Sequence, residues 1–258
     1  MSFECFEPIL TALALPAAAR LDKRVPRTLL SEHGAASASD RKAIQEGIDA
    51  LWWLAVIKPA TVALPVAVDG AAPEIAVLGL ELRASALASR LIERTHRAVP
   101  YPVVLLTAQG SSVTVSLAQK RPSQQEPERL IVEGGVLVSP ELAHGQVPQL
   151  QPVLGFLNTM SFPASSVADL GGVYASWTAA VEAFCVARVT GQFVLAADAE
   201  AAASRRAALL EYDRIVAERA RLVRESGRAT QMNRRVELNL MLKRLDVDLA
   251  RAAAELDP

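Results

Sequence analysis

From residue 197 onward the chain reaches residue 257 with no proline and only one glycine, Gly227, and this stretch constrains the fold more than any other. A segment so long, free of helix breakers and rich in alanine, leucine and arginine, has little choice but helix. Leu238, Leu242, Leu245, Leu249, Ala252 and Leu256 recur at 4-3-4-3-4 spacing, the period of a coiled-coil seam. Upstream the register is looser, through Leu209, Tyr212, Val216 and Val223. Gly227 and the polar run 226–233 interrupt the pattern. Two helices joined near Ser226-Gly227 as an antiparallel hairpin are therefore expected. At 1.5 Å per residue, an arm of about 28 residues is roughly 40 Å long. A single continuous helix serving a homo-oligomer is the alternative.

Composition fits close helix contact. Hydrophobic residues make up 51% of the 258, but 46 of them are alanine and aromatics reach only 5%. A charged fraction of 21% places the chain outside the disordered class. No run of 18 apolar residues occurs, and no basic segment followed by an apolar one opens the chain. Neither a membrane span nor a secretory signal is expected, and the expected location is cytoplasmic. Two cysteines, Cys5 and Cys185, cannot build a disulfide scaffold or a four-ligand zinc site.

Ahead of the hairpin the pattern alternates. The first forty residues are broken by Pro8, Pro16 and Pro26 and carry a basic cluster of Arg20, Lys23, Arg24 and Arg27. Ser39 is expected to cap a helix that buries Ile44, Ile48, Leu51 and Ala55, is extended by Trp52 and Trp53, and ends at Pro59. Residues 61–68 and 74–82 are β-rich runs around Asp69-Gly70, and 85–97 reads as a helix. Residues 103–107 and 113–118 form the clearest hairpin, turning at Gly110-Ser111. Short strands are expected on either side of Gly134-Gly135, and a helix over 167–189. The fold class expected is α+β, a mainly antiparallel sheet with flanking helices followed by a C-terminal helical hairpin. The corresponding organisation is an α+β domain over 1–150, connecting helices over 151–195 and the helical hairpin over 196–258.

Catalytic signals are sparse. His33, His96 and His144 are scattered, so neither a metal nor any other cofactor is expected. No nucleophile elbow, phosphate loop or dinucleotide turn is present, and Cys185, between Phe184 and Val186, reads as packing. One layout resembles a magnesium-dependent nuclease: Asp69 ahead of a strand, then Glu81 and Arg83 as an acidic-x-basic pair on it. Arginine stands where lysine is usual, and a solvated strand end explains the same residues. Carboxylates more than about 8 Å apart could not share a metal.

Charge placement says more. The chain carries 27 Lys+Arg and 28 Asp+Glu, net −1. Residues 219–244 hold eight basic residues, Arg219, Arg221, Arg224, Arg228, Arg234, Arg235, Lys243 and Arg244, against Glu225 and Glu237. That is 8 − 2 = +6 locally. A hairpin turning near Gly227 would gather this charge at its tip, where phosphates or an acidic partner would meet it. A solvated face with i, i+4 ion pairs is the competing reading.

Several segments, in order along the chain, resemble an uncharacterised bacterial family, domain of unknown function 4391. They are Leu15-Pro16 with Lys23-Arg24-Val25-Pro26, Ile48-Asp49-Ala50-Leu51-Trp52-Trp53-Leu54, Ile57-Lys58-Pro59, the stretch 92–102 ending in Pro100-Tyr101-Pro102, Ser116-Leu117-Ala118-Gln119-Lys120-Arg121, and Gln231-Met232-Asn233-Arg234-Arg235-Val236-Glu237-Leu238-Asn239. The resemblance implies no established activity. It implies an accessory role beside the DNA methyltransferases and helicases of restriction-modification or phage-defence loci, with those proteins as partners; DNA is expected as a further partner only through the charge at the hairpin tip. Within these segments, Lys120 and Arg121 read as exposed cations ending a strand. Gln231, Arg235 and Asn239 read as a polar stripe that locks the hairpin arms together or is offered to a partner.

Overall fold

The computed structural model describes residues 3–66, 74–123, 130–143, 151–162 and 167–256. Its contacts divide the chain into two compact units, Met1–Phe184 and Cys185–Pro258.

The first unit is built on one sheet. Its strands are β1 (Arg20–Val25), β2 (Ile48–Ile57), β3 (Ile75–Leu82), β4 (Val103–Gln109), β5 (Ser112–Pro122), β6 (Leu130–Val138) and β7 (Leu142–Ala143). Neighbours run in the order β1-β2-β3-β4-β5-β6, and β7 adds to β5. Every pairing is antiparallel except β3 with β4. That parallel pair needs a crossover, and α5 (Ala88–Ala98) supplies it. The β4–β5 hairpin turns at Gly110, whose φ of 62° suits a residue without Cβ.

The largest correction concerns Ile48–Ile57. The 4-3-4 spacing of Ile44, Ile48, Leu51 and Ala55 predicts a helix running to Pro59, yet α3 (Ala38–Gly47) stops at Gly47 and the next ten residues are β2. Ile48, Leu54, Ala55 and Ile57 are fully buried, and the strand pairs on both sides, with β1 and β3. An interior strand covered on both faces reads as a nearly continuous apolar run, which helical periodicity imitates by chance. The helix cap also moves: Ser37, not Ser39, accepts from the Asp40 N–H. Asp40, 1% exposed, takes the Arg90 guanidinium and lies 3.1 Å from Arg94 Nε. The bond from Arg90 holds its carboxyl below the usual range. The basic segment 20–25 forms β1 on the sheet edge, which its charge concealed. Residues 59–62 form the short helix α4, not a strand, and positions 67–68 of that expected strand lie outside the described residues.

Alternation along β3 sends side chains to two packed layers. Leu78, Leu80 and Leu82 join Ile48, Leu51 and Val103 beneath α2 (Arg27–Gly34), α3 and α5, through Leu30, Ile44, Leu91 and Ile92. On the other face, a Cβ at Gly79 would come within 2.6 Å of Phe6 and 3.0 Å of Leu54, so that layer closes directly onto the backbone. α1 (Glu7–Leu13), α6 (Gln151–Thr159) and α7 (Leu170–Thr190) contribute buried side chains including Leu10, Leu13, Phe156 and Trp177. α7 is long and apolar enough to cross a membrane, but Val173, Trp177, Ala180 and Val181 are fully buried, as in the core helix of a globular unit.

Tyr174 ties α7 to the sheet. Its hydroxyl accepts from Ala118 N–H at 3.0 Å and lies 2.9 Å and 3.1 Å from the carbonyl oxygens of Ala118 and Val103. Burial pushes its ionisation well above the ordinary value. Tyr174→Phe is expected to lower stability by about 1–2 kcal/mol with no change in secondary structure, measured by urea unfolding.

The second unit contains the hairpin, α8 (Ala199–Arg228) and α9 (Met232–Ala254). Asp198 caps α8 by accepting from Ala201 N–H.

Candidate functional site

The hairpin turns later than expected. Gly227 lies inside α8, and the chain reverses over residues 229–231. The α8 register holds at Leu209, which is buried, and at the half-buried Tyr212, and differs beyond them. Ile215 and Leu222 are buried, 2% and 4% exposed, whereas Val216 and Val223 are 40% and 46% exposed. The buried pair belongs to the heptad series Ala201, Arg205, Ala208, Tyr212, Ile215, Arg219, Leu222 and Ser226, which its polar members hide from a search for apolar repeats. On α9 the leucine seam is as read, with Leu238 fully buried and Ala252 nearly so, and Leu256, just past the end of the helix, is fully buried as well.

Several of the basic residues are already spent. Arg219, at a seam position, donates to Asp246 across the hairpin at 2.6 Å. Arg221 pairs with Glu218 and Glu225 on its own helix. Arg234 joins Glu225 of α8 to Glu237 of α9, and both acids favour its charged form. Among the described residues, Arg224, Arg228, Arg235, Lys243 and Arg244 have no acidic partner within 4 Å. Arg224, Arg228 and Arg235 flank the turn. Of the polar stripe, Asn239 meets Ser226 across the turn at 3.5 Å, while Gln231 stands at the α9 N-terminus without a side-chain cap bond. The arms are thus clamped by Arg219–Asp246, Arg234–Glu225 and Ser226–Asn239.

α9 also has a second apolar face. Met232, Val236, Leu240 and Val247 are 73%, 51%, 55% and 70% exposed. At 100° per residue they lie opposite the Leu238–Leu245 seam. The heptad seam draws attention first, and this outer stripe, at 4-4-7 spacing, becomes visible only once the seam is known to face α8.

The cations expected at the end of β5 are not free. The Lys120 ammonium donates to the carbonyls of His96, Val99 and Tyr101 at 2.9, 2.5 and 2.7 Å, closing the C-terminal end of α5 and the turn after it. This is the position where helix carbonyls lack intrahelical donors and a cation is favoured. Burial draws its pKa down to about 7. Arg121 lies 3.5 Å from Glu133. Directly beneath, His96 is fully buried and its Nε2 sits 3.0 Å from Ser116 Oγ. Ser116 Oγ is also 3.4 Å from Leu105 O, so a hydroxyl donating there would receive its bond from the Nε2–H tautomer. Burial, with Lys120 nearby, holds His96 neutral with a pKa of about 3. A histidine–serine pair sealed from solvent orders the core and cannot reach a substrate.

At the far end of β3, Glu81 accepts from Trp52 Nε1 at 2.6 Å. Arg83 pairs with Asp49 at 2.8 Å and donates to Glu46 O. Burial pushes the Cys5 thiol up to about 11, and the Glu81 charge adds to the shift. Asp69 and His144 lie outside the described residues, and among those described no group of three or more His, Cys, Asp or Glu side chains is placed to hold a metal ion.

A seven-stranded α+β unit followed by an ion-clamped helical hairpin defines the class of protein. Residues 13–249 match the family described as domain of unknown function (DUF4391), and the chain belongs to that family. No curated protein matches the chain.

Proposed function

We propose that the chain is a non-catalytic accessory or scaffold protein of a bacterial DNA-processing or phage-defence complex, acting in the cytoplasm and docking protein partners on the outer face of α9. The observation that carries the reading is the exposed stripe of Met232, Val236, Leu240 and Val247 on a helix whose opposite face is already paired. Exposed apolar side chains on a stiff element mark a contact site when charges lie beside them. Here Lys243 falls within the stripe, between Leu240 and Val247, and Arg235 and Arg244 flank it; none of the three has an acidic partner among the described residues. The partners that fit are the methyltransferase or helicase of the same locus. Co-expression of the full chain with each neighbouring gene product tests this. A stable complex surviving gel filtration is the expected result, and the absence of one with any of them would overturn the reading.

DNA contact is the second reading, favoured by the three arginines beside the turn that have no acidic partner among the described residues. Each cation on a phosphate contributes close to one unit of the salt slope of binding. Arg224, Arg228 and Arg235 replaced together by alanine should lower that slope by about three units in a duplex gel-shift series. An unchanged slope would remove these residues from any DNA contact.

A further inference from the structure

We propose that the partner element seated on the outer face of α9 is a single α-helix with a heptad of apolar residues and a carboxylate facing Lys243. This rests on the reading that partners dock on this face, and it specifies what docks there. Val236, Leu240, Lys243, Val247, Ala250 and Ala254 stand at 4-3-4-3-4 spacing, and all six are exposed. That is the period of a coiled-coil seam, repeated on the side of α9 opposite the one that meets α8. From residue 236 to residue 254 it rises about 27 Å at 1.5 Å per residue. A strand, with its repeat of two, falls out of step with this seam within a few residues. A second helix keeps the seven-residue register along its whole length.

Charge sets the partner's sign. Lys243 occupies a position of this outer seam, so a helix laid along it takes the ammonium out of water. A desolvated cation without a counter-charge is costly, and a carboxylate at the same level offsets that cost. The three acids of α9 are already engaged: Glu237 with Arg234 at 2.7 Å, Asp246 with Arg219 at 2.6 Å and Asp248 with Arg251 at 3.0 Å. Among the described residues Lys243 and its neighbour Arg244 have no acidic partner, so the face keeps a positive surplus. A second copy of α9 brings no free carboxylate for the same reason. A helix with only apolar residues, or with lysine at that level, leaves the Lys243 charge buried and unpaired, so this one position discriminates between partners. The seam also narrows, from Val236 and Leu240 to Ala250 and Ala254, which places the guest's larger side chains toward the C-terminal end of α9.

The test uses the full chain and two fluorescently labelled synthetic helices of about three heptads. Both carry leucine at every seam position except a central one, which is glutamate in the first and lysine in the second. Fluorescence anisotropy should show saturable binding of the glutamate helix. Binding of the lysine helix should be at least about tenfold weaker, the effect of a like-charge contact in a desolvated interface. Lys243→Glu, a substitution at an exposed residue, should reverse the preference and leave the melting temperature unchanged. No saturable binding of the glutamate helix would overturn the proposal, as would equal affinities or a preference that Lys243→Glu does not reverse. Sedimentation of the unliganded chain as a dimer that Val236→Glu, Leu240→Glu converts to monomer would assign the face to a second copy and overturn it as well. No protein of the locus enters these measurements, so their failure is distinct from the absence of a complex on co-expression.

Discussion

Lys120→Met is expected to destabilise the sheet unit by about 3–5 kcal/mol, among the largest effects of any single substitution in this chain. One ammonium serves the carbonyls of His96, Val99 and Tyr101. Methionine keeps the length of the side chain but supplies no donor, so three carbonyl groups around the end of α5 lose their partner together. Lys120→Arg carries a larger planar head into a site shaped for three convergent oxygens, and should recover only part of the loss. Urea unfolding at pH 6, below the Lys120 pKa of about 7 so that the ammonium is charged, reads both variants. A cost for Lys120→Met below about 1 kcal/mol, the scale of one exposed cation, would show that these bonds do not hold the turn.

Acid should expose His96. The folded state keeps this imidazole neutral, with a pKa of about 3 against 6.5 in an unconstrained chain. Because the folded pKa is depressed, the unfolded chain binds the extra proton first. The contribution is fully present above pH 6.5 and is lost progressively as the pH falls toward 3, roughly 5 kcal/mol in all. Asp40, also held below its ordinary value, adds a further loss at the acid end of that range. His96→Gln removes the titrating group, so its stability should vary less between pH 6.5 and 4 than that of the parent chain. Equal slopes in chemical unfolding across that range would mean that solvent reaches His96 in the fold.

The two effects share a location where the local pattern predicts only exposed cations. Lys120-Arg121 at a strand end looks like a pair of solvated cations, and Arg121, against Glu133, is close to that. Lys120 differs because β5 passes beneath the end of α5, a tertiary relation that no local pattern encodes. His96 was legible only as a scattered histidine; its burial follows from α5 laying one face on the sheet. What could be read directly was periodic over short range: the β4–β5 hairpin, the α5 and α7 helices and the leucine seam of α9. The reading of Ile48–Ile57 as helix failed because an interior strand buried on both faces carries no alternation. The α8 register failed for a related reason, since Arg219 and Ser226 occupy seam positions and only their partners, Asp246 and Asn239, explain why polar residues are tolerated there.

Among the candidate contact residues, the sequence located the charge but not its partners. The +6 of 219–244 is real, yet Arg219, Arg221 and Arg234 stabilise the hairpin rather than project from it. Exposed ion pairs of this kind are worth little singly. Their value here is geometric: two of them cross between α8 and α9 and fix which face of α9 turns outward.

That outward face is the centre of the functional reading, and charge placed on it is the most direct test. The double variant Val236→Glu, Leu240→Glu alters residues 51% and 55% exposed, so the helical content and melting temperature of the chain should be unchanged. The complex proposed with a co-expressed methyltransferase or helicase should be lost in gel filtration, with affinity reduced at least a hundredfold, as when two central apolar anchors of an interface are replaced (about 3 kcal/mol or more). Retention of the complex at parental affinity by a correctly folded double variant would contradict the account.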